Sequence, residues 1–280
     1  MGFTDLVWEA VRFEQAMPTG RTKPLLLECA HVDGDTERRC RYVVKAIGLP
    51  EVFDFTLCHE LIGCRLARLF GLAAPNSALV NLTPQFLDAV GDDLERAGLQ
   101  PIPGLAVGVE HVRNLYAFPA SPTLGENEIV EAARIYAFDL ATQNPDRTAR
   151  WPNCGRAPDG LVPYDFENAF SFRFALLKPE PWEASRLGFA KQHLFHGQLS
   201  SADVDWASVF GPMAAAGIKP IETVCGTIPD SWRPIGDDIG TTWPNSSRTG
   251  QILNVKSGQP SHEQSIFVRR ASCDSRYWRR

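Results

Sequence analysis

The chain is short of several things, and each shortage removes a class of protein. Its 280 residues hold no run approaching the roughly 20 apolar residues that span a bilayer. The first residues, Met1 to Glu9, have neither a basic stretch nor an apolar core, so no secretory leader is expected. Basic residues are outnumbered, 28 against 33 acidic, and the net charge of −5 argues against a broad nucleic-acid footprint. No DNA-binding helix-turn-helix stands out, so any such regulator is expected as a separate chain. The seven cysteines are odd in number and never spaced C-x-x-C, which excludes a zinc ribbon and a disulfide framework. Reduced thiols in a cytoplasmic protein are expected instead, where the sequons at Asn81 and Asn245 have no bearing. Neither G-x-G-x-x-G nor the P-loop pattern occurs. His59-Glu60 begins a zinc-protease motif, but the second histidine it needs is Gly63. No internal repeat is visible. Apolar content is ordinary, and 22% charged residues do not suggest disorder.

What is present centres on residues 137–170. An apolar helical run ends in a polar loop holding Asp146 and Asn153. A turn follows at Arg156–Gly160, and a brief apolar strand then delivers Asp165. An aspartate, a downstream asparagine and a second aspartate at a strand end form the set that phosphoryl transfer needs. One carboxylate orients the acceptor hydroxyl, while the amide and the other carboxylate hold Mg²⁺ on nucleotide phosphates.

That chemistry also needs a cation for the phosphates, and Lys45 is the candidate. It lies in the strand-like run Cys40–Ile47 between Val44 and Ala46. A lysine at that depth needs a carboxylate, because an unpaired buried charge is costly. Glu60 is the expected partner. It sits in a helical run from Phe55 to Phe70, on one face with Leu57, Gly63, Cys64 and Ala67. Upstream, Pro18-Thr-Gly-Arg-Thr-Lys-Pro24 is a glycine-containing turn leading into a strand, and Asp33-Gly34 turns that strand back towards Lys45. The hairpin would lie over phosphates, with Gly20, Thr22, Lys23 and Lys45 as the nucleotide contacts.

Seven segments in this order carry a resemblance: Gly20-x-x-Lys-Pro24, Asp33-Gly34, Tyr42-Val-Val-Lys45, His59-Glu-Leu-Ile-Gly63, Leu66–Pro75, Asn144-Pro-Asp-Arg147 and Asp165-Phe-Glu-Asn-Ala-Phe170. Together, over roughly residues 17–172, they resemble the HipA-like kinases, relatives of the phosphatidylinositol 3/4-kinase branch of the protein-kinase-like fold. The resemblance implies an α+β, two-lobed kinase fold, with a small β-rich lobe carrying one key helix and a mainly helical second lobe. It implies ATP and Mg²⁺, with transfer of the γ-phosphate to a hydroxyl, most readily a protein Ser or Thr. By position, Lys45 contacts phosphates, Glu60 anchors it, Asp146 is catalytic, and Asn153 and Asp165 hold the metal. The alternatives are a nucleotide-binding pseudokinase and a small-molecule or lipid kinase.

Two departures stand out. Many kinases place the metal-binding Asn five residues after the catalytic Asp, which here is Trp151; Asn153 is preferred because it directly precedes the next turn and strand. Phe166-Glu167 replaces the Phe-Gly that follows the metal aspartate in protein kinases, so activation-loop logic does not transfer. The first lobe is expected over residues 1–115, with strands at Ser77–Leu82 and Leu105–Val112 and a polar helix at Pro84–Ala97. Residues 113–126 should connect the lobes. The second lobe is expected over 116–240, with helices at Glu126–Thr142, Pro181–His196, Ser201–Ala216 and Lys219–Cys225. An irregular basic tail follows over 241–280. His193 and His196 are expected to pack rather than to bind metal, and Asp203 and Asp205 to lie at a helix N-terminus. Thr19, Thr22 and Ser272, the last after paired arginines, are candidate phosphorylation sites.

Overall fold

The computed structural model describes residues 6–119, 123–174 and 184–243. The fold is a mixed α+β arrangement. Five strands close into a barrel in the order β1-β2-β3-β5-β4. They are β1 (Val7–Ala16), β2 (Leu25–Asp33), β3 (Thr36–Lys45), β4 (Ser77–Leu82) and β5 (Gly104–Glu110). β1 is absent from the sequence reading. It alternates Glu9, Arg12 and Glu14 with apolar neighbours, and it closes the barrel by pairing antiparallel to β2 and parallel to β4. Closure removes the exposed edges that an open sheet would present.

The β2–β3 hairpin turns where Asp33-Gly34 predicts. Asp33 pairs with Thr36, and Gly34 takes the positive φ of +59° that the tight turn requires. β3 pairs on its other side with β5, which sets Lys45, its last residue, opposite Val107.

Helix α1 (Asp54–Leu69) follows. Every residue from Thr56 to Ala67 is buried, because the helix packs on β4 and β5 and also meets α7 (Lys219–Cys225) and α8 (Arg233–Thr242). Its start is fixed by Thr56, whose hydroxyl accepts from Phe53 N at 2.9 Å and donates to Phe53 O at 2.7 Å. The predicted helix Pro84–Ala97 is divided into α2 (Pro84–Ala89) and α3 (Gly91–Ala97). Val90, at φ −108° and ψ 12°, leaves the helical region between them.

Strands β6 (Tyr116–Ala117), β7 (Cys154–Ala157) and β8 (Gly160–Pro163) form a second sheet. Residues 116–117, read from sequence as part of a connection, are therefore a strand paired with Gly155 and Arg156. α4 (Glu126–Thr142) leads into the polar loop and ends at Gln143, which caps it in the left-handed conformation. The predicted helix 181–196 is a 3₁₀ stretch over Ala184–Gln192, then the short α5 (His196–Leu199); residues 181–183 lie outside the described range. α6 (Trp206–Ala216) is capped by Asp205, which accepts from Ser208 N at 3.2 Å, as the acids before it suggested. α8 was not anticipated. It carries packing on to Trp243, which is buried, three residues past the expected end of packing at Gly240. The rest of the basic tail, residues 244–280 with Ser272, lies outside the described residues. One buried apolar cluster runs from Ala10 in β1 through α1 and α4 to Trp243.

Candidate active site

The geometry is built around Lys45. It is buried, and its Nζ lies 2.7 Å from Glu60 Oε2, 2.5 Å from Asp165 Oδ1 and 2.8 Å from Glu167 Oε2. A strand end, a helix centre and a loop thus meet on one ammonium. Burial disfavours its charge, but the three carboxylates prevail, and the ammonium is held well above its usual range. Glu167 Oε2 is buried, with the Lys45 ammonium as its ion partner. Burial and the neighbouring Asp165 push the Glu167 carboxyl up to about 7, against the pull of Lys45.

Glu60 is equally committed. Its Oε2 takes Lys45, and its Oε1 accepts from Phe166 N at 3.2 Å and lies 3.5 Å from Cys64 Sγ. Gly63 makes this approach possible, since a Cβ there would overlap Cβ of Phe166. The alternative partner for Glu60, Arg68, turns instead to the carbonyl of Ala74 at 2.8 Å.

Asp146 forms the second focus. Its Oδ2 accepts from Asn153 Nδ2 at 3.2 Å and from Asn168 Nδ2 at 3.1 Å. Burial and the charge of Asp165 raise its carboxyl, opposed by Asn168, Arg21 and Asn153. Arg21 belongs to the turn between β1 and β2, so that turn is close enough to act on Asp146. Within it, Met17 N donates to Pro24 O at 2.8 Å, Gly20 and Lys23 adopt positive φ, and Gly20 and Lys23 are exposed. The Thr22 side chain is buried; of the two threonines read as modification sites, only Thr19 offers a hydroxyl to solvent.

Beneath both foci lies a buried network absent from the sequence reading. Asp139, in the last turn of α4, takes Arg147 Nε at 2.6 Å and Asn144 Nδ2 at 3.0 Å, with His193 Nε2 at 3.0 Å. Burial alone would raise the Asp139 carboxyl; the Arg147 guanidinium and His193 bring it below its ordinary value. The remaining Nη1 of Arg147 donates to the carbonyls of Asn153 and Tyr164, the latter at 3.1 Å, and the guanidinium lies over the Phe166 ring. Arg147 thus ties the loop to the last turn of α4 by its salt bridge, and reaches only backbone carbonyls on the loop side. His193 packs, as expected for the histidine pair, while His196 lies 3.4 Å from the Tyr136 hydroxyl.

All the predicted residues of the catalytic set therefore converge on two adjacent foci. Glu167 and Asn168 were missed as participants, although both lie in the quoted Asp-x-Glu-Asn motif. Asp139 had its own signal: an aspartate inside Ile135-Tyr-Ala-Phe-Asp-Leu-Ala141 is one that must find a buried partner.

The donor chemistry suits a hard cation. Asp165 and Asn153 offer carboxylate and amide oxygens, the ligands Mg²⁺ prefers. Both are partly exposed, and the ammonium of Lys45 faces a surplus of negative charge, three carboxylates within 4.8 Å of one another.

An α+β fold with a paired lysine and glutamate beside a polar aspartate–asparagine loop belongs to the kinase-type phosphotransferases. A family model described as HipA-like kinase matches residues 10–255, and this chain belongs to that family. Comparison with curated proteins finds no match. Among solved structures it is similar to the Helicobacter pylori proinflammatory kinase CtkA, at a TM-score of 0.56 and 10% identity, covering 95% of this chain and 98% of that one. At that identity the likeness concerns the fold alone.

Proposed function

We propose that the protein transfers the γ-phosphate of Mg²⁺-ATP to a hydroxyl acceptor, a protein serine or threonine. The observation that carries this reading is the Lys45–Glu60 ion pair at 2.7 Å sharing its centre with Asp165. Nucleotide would lie between a smaller lobe, the barrel with α1, and a larger helical one. Lys45, fixed by Glu60, neutralises phosphate charge, and the turn of Gly20, Thr22 and Lys23 covers the phosphates. Asp165 and Asn153 hold Mg²⁺, which spreads the charge of the transferring group. Asp146, restrained by Asn153 and Asn168, accepts a hydrogen bond from the acceptor hydroxyl and orients it in line. Positioning and fixed charge carry most of the rate in such chemistry. The cysteines of the described residues are all free thiols, which fits a reducing, cytoplasmic setting.

One observation favours a second reading, a nucleotide-binding protein without turnover. Glu167 adds a third carboxylate to Lys45, and release of Lys45 towards phosphates must break that contact too.

The test is thermal unfolding of wild type and Asp165→Asn, with and without Mg²⁺-ATP, together with ADP release. Ligand at about 100 times its dissociation constant stabilises the native state by about 2.7 kcal/mol. A Mg²⁺-dependent rise in Tm is expected for wild type and not for Asp165→Asn. Asp146→Ala should keep the rise and lose turnover by several orders of magnitude, on the order of 10³ or more. No shift at millimolar nucleotide removes the kinase reading; a shift without ADP release selects the second.

A further inference from the structure

The two residues read as metal ligands share an unusual backbone. Asn153 has φ +43° and Asp165 has φ +61°, and neither is glycine. Asn and Asp tolerate the left-handed conformation better than other non-glycine residues, and here specific donors hold both of them in it. The atoms that do so belong to one side chain. Arg147 Nη1 donates to the carbonyl of Asn153 itself and to that of Tyr164, the residue before Asp165. Tyr164 N also donates to Asn153 O at 3.0 Å, which ties the two segments together at the same point. The guanidinium is fully buried, anchored on Asp139 by Nε at 2.6 Å and stacked on Phe166, the residue after Asp165.

We infer that Arg147 is a positioning residue for the metal. It sets the separation and direction of the Asn153 and Asp165 side chains by clamping their backbones, without touching the cation. The inference rests on the metal-ligand roles given to those two residues above. A guanidinium suits the task because its planar fork reaches a carboxylate and two carbonyls at once, whereas an ammonium is a single point donor. Partners behind metal ligands characteristically change metal affinity by 10–100-fold when lost.

The experiment measures binding of Mn²⁺ alone, and of Mn²⁺ with a non-hydrolysable ATP analogue, by calorimetry on the full chain. Arg147→Lys keeps the charge opposite Asp139 and loses the fork. Its expected signature is a Mn²⁺ dissociation constant raised at least 10-fold, with metal-free binding of the analogue within 2-fold of wild type. Unchanged Mn²⁺ affinity overturns the inference, as does an equal loss of metal-free nucleotide binding, which marks general damage. Should Arg147→Lys fail to fold, Asp139→Asn supplies the answer: it loosens the anchor, and Mn²⁺ affinity should fall at least 3-fold or the inference fails. Asp165→Asn is measured alongside. If it binds Mn²⁺ like wild type, the metal-ligand reading itself is wrong; if it does not and Arg147→Lys is normal, only the clamp is wrong.

Discussion

At the scale of single residues, the site is governed by charge that cannot reach water. Lys45 serves Glu60, Asp165 and Glu167 at once. Replacing it by methionine leaves these carboxylates around an uncharged side chain, and breaking buried ion pairs from one side costs about 3–5 kcal/mol. Lys45→Met should therefore lower stability by roughly that amount in urea unfolding. Adding Glu167→Gln should recover part of the loss, as repulsion is relieved. Equal, additive losses from the two changes would show that Glu167 is not coupled to Lys45. His59 gives a pH dependence. Its Nδ1 lies 3.1 Å from Glu167 O and its Nε2 2.8 Å from Arg173 Nη1, whose Nε donates to Asp238 at 2.8 Å. Burial and the Arg173 charge lower its pKa to about 3, against weaker opposing pulls from the Glu167 carbonyl and from Asp238. The unfolded chain takes up this proton near pH 6.5 and the folded chain near 3, so stability is lost as pH falls through that window. At pH 5 the loss from this group is about 2 kcal/mol, from about 1.4 kcal/mol per pKa unit. His59→Asn should flatten the stability profile between pH 7 and pH 5; an unchanged slope would remove the assignment.

At the scale of elements, α1 and the segment after β8 make a close contact near the site. Gly63 lies one turn beyond Glu60 on α1, and Phe166 fills the space a side chain would take. Glycine inside a helix costs about 0.5–1 kcal/mol relative to alanine, so its presence here needs the packing reason. Gly63→Ala should push residues 165–167 off the helix and loosen the Phe166 N–Glu60 bond, destabilising by about 1–3 kcal/mol. Gly240 in α8 has open space at its Cβ position, and Gly240→Ala should stabilise by about 0.5–1 kcal/mol. Comparing the midpoints of these two variants separates close packing from helix propensity. The same contact shows how far sequence reasoning reaches. Gly63 and Glu60 on one face of a helix are legible from a 3.6-residue period, but that Phe166 presses on Gly63 is not, because 103 positions separate them. Glu167 was set aside as a departure from Phe-Gly, and only the fold brings its carboxylate to Lys45. β1 and α8 escaped for another reason. β1 is charged on its outer face and lacks a flanking turn signal except at one end, and α8 mixes two glycines, a proline and two threonines into ten residues.

At the scale of the molecule, one apolar cluster joins barrel, α1, α4 and the C-terminal helices. Strands and helices that share a core should unfold together. Trp8 on β1 and Trp232 beside α8 lie at opposite ends of the chain, the second donating to Asp54 at the start of α1 at 3.2 Å. Single-tryptophan versions reporting Trp8 and Trp232 should give coincident urea transitions, matching that seen by far-ultraviolet circular dichroism. Separate midpoints would show that barrel and helices melt as independent units. Sequence alone determined what depends on local order: the β2–β3 turn at Gly34, the period of α1 and α4, the cap at Asp205, and the residue types of the proposed site. It could name Lys45, Glu60, Asp146, Asn153 and Asp165 because their chemistry is recognisable in any setting. The tertiary structure decided which groups share a charge. Burial removes water as a competitor, so partners are chosen by proximity in space. That is why Lys45 answers to three carboxylates rather than one, why Asp139 and His193 belong beneath the site, and why Arg147 reaches the backbones on either side of it.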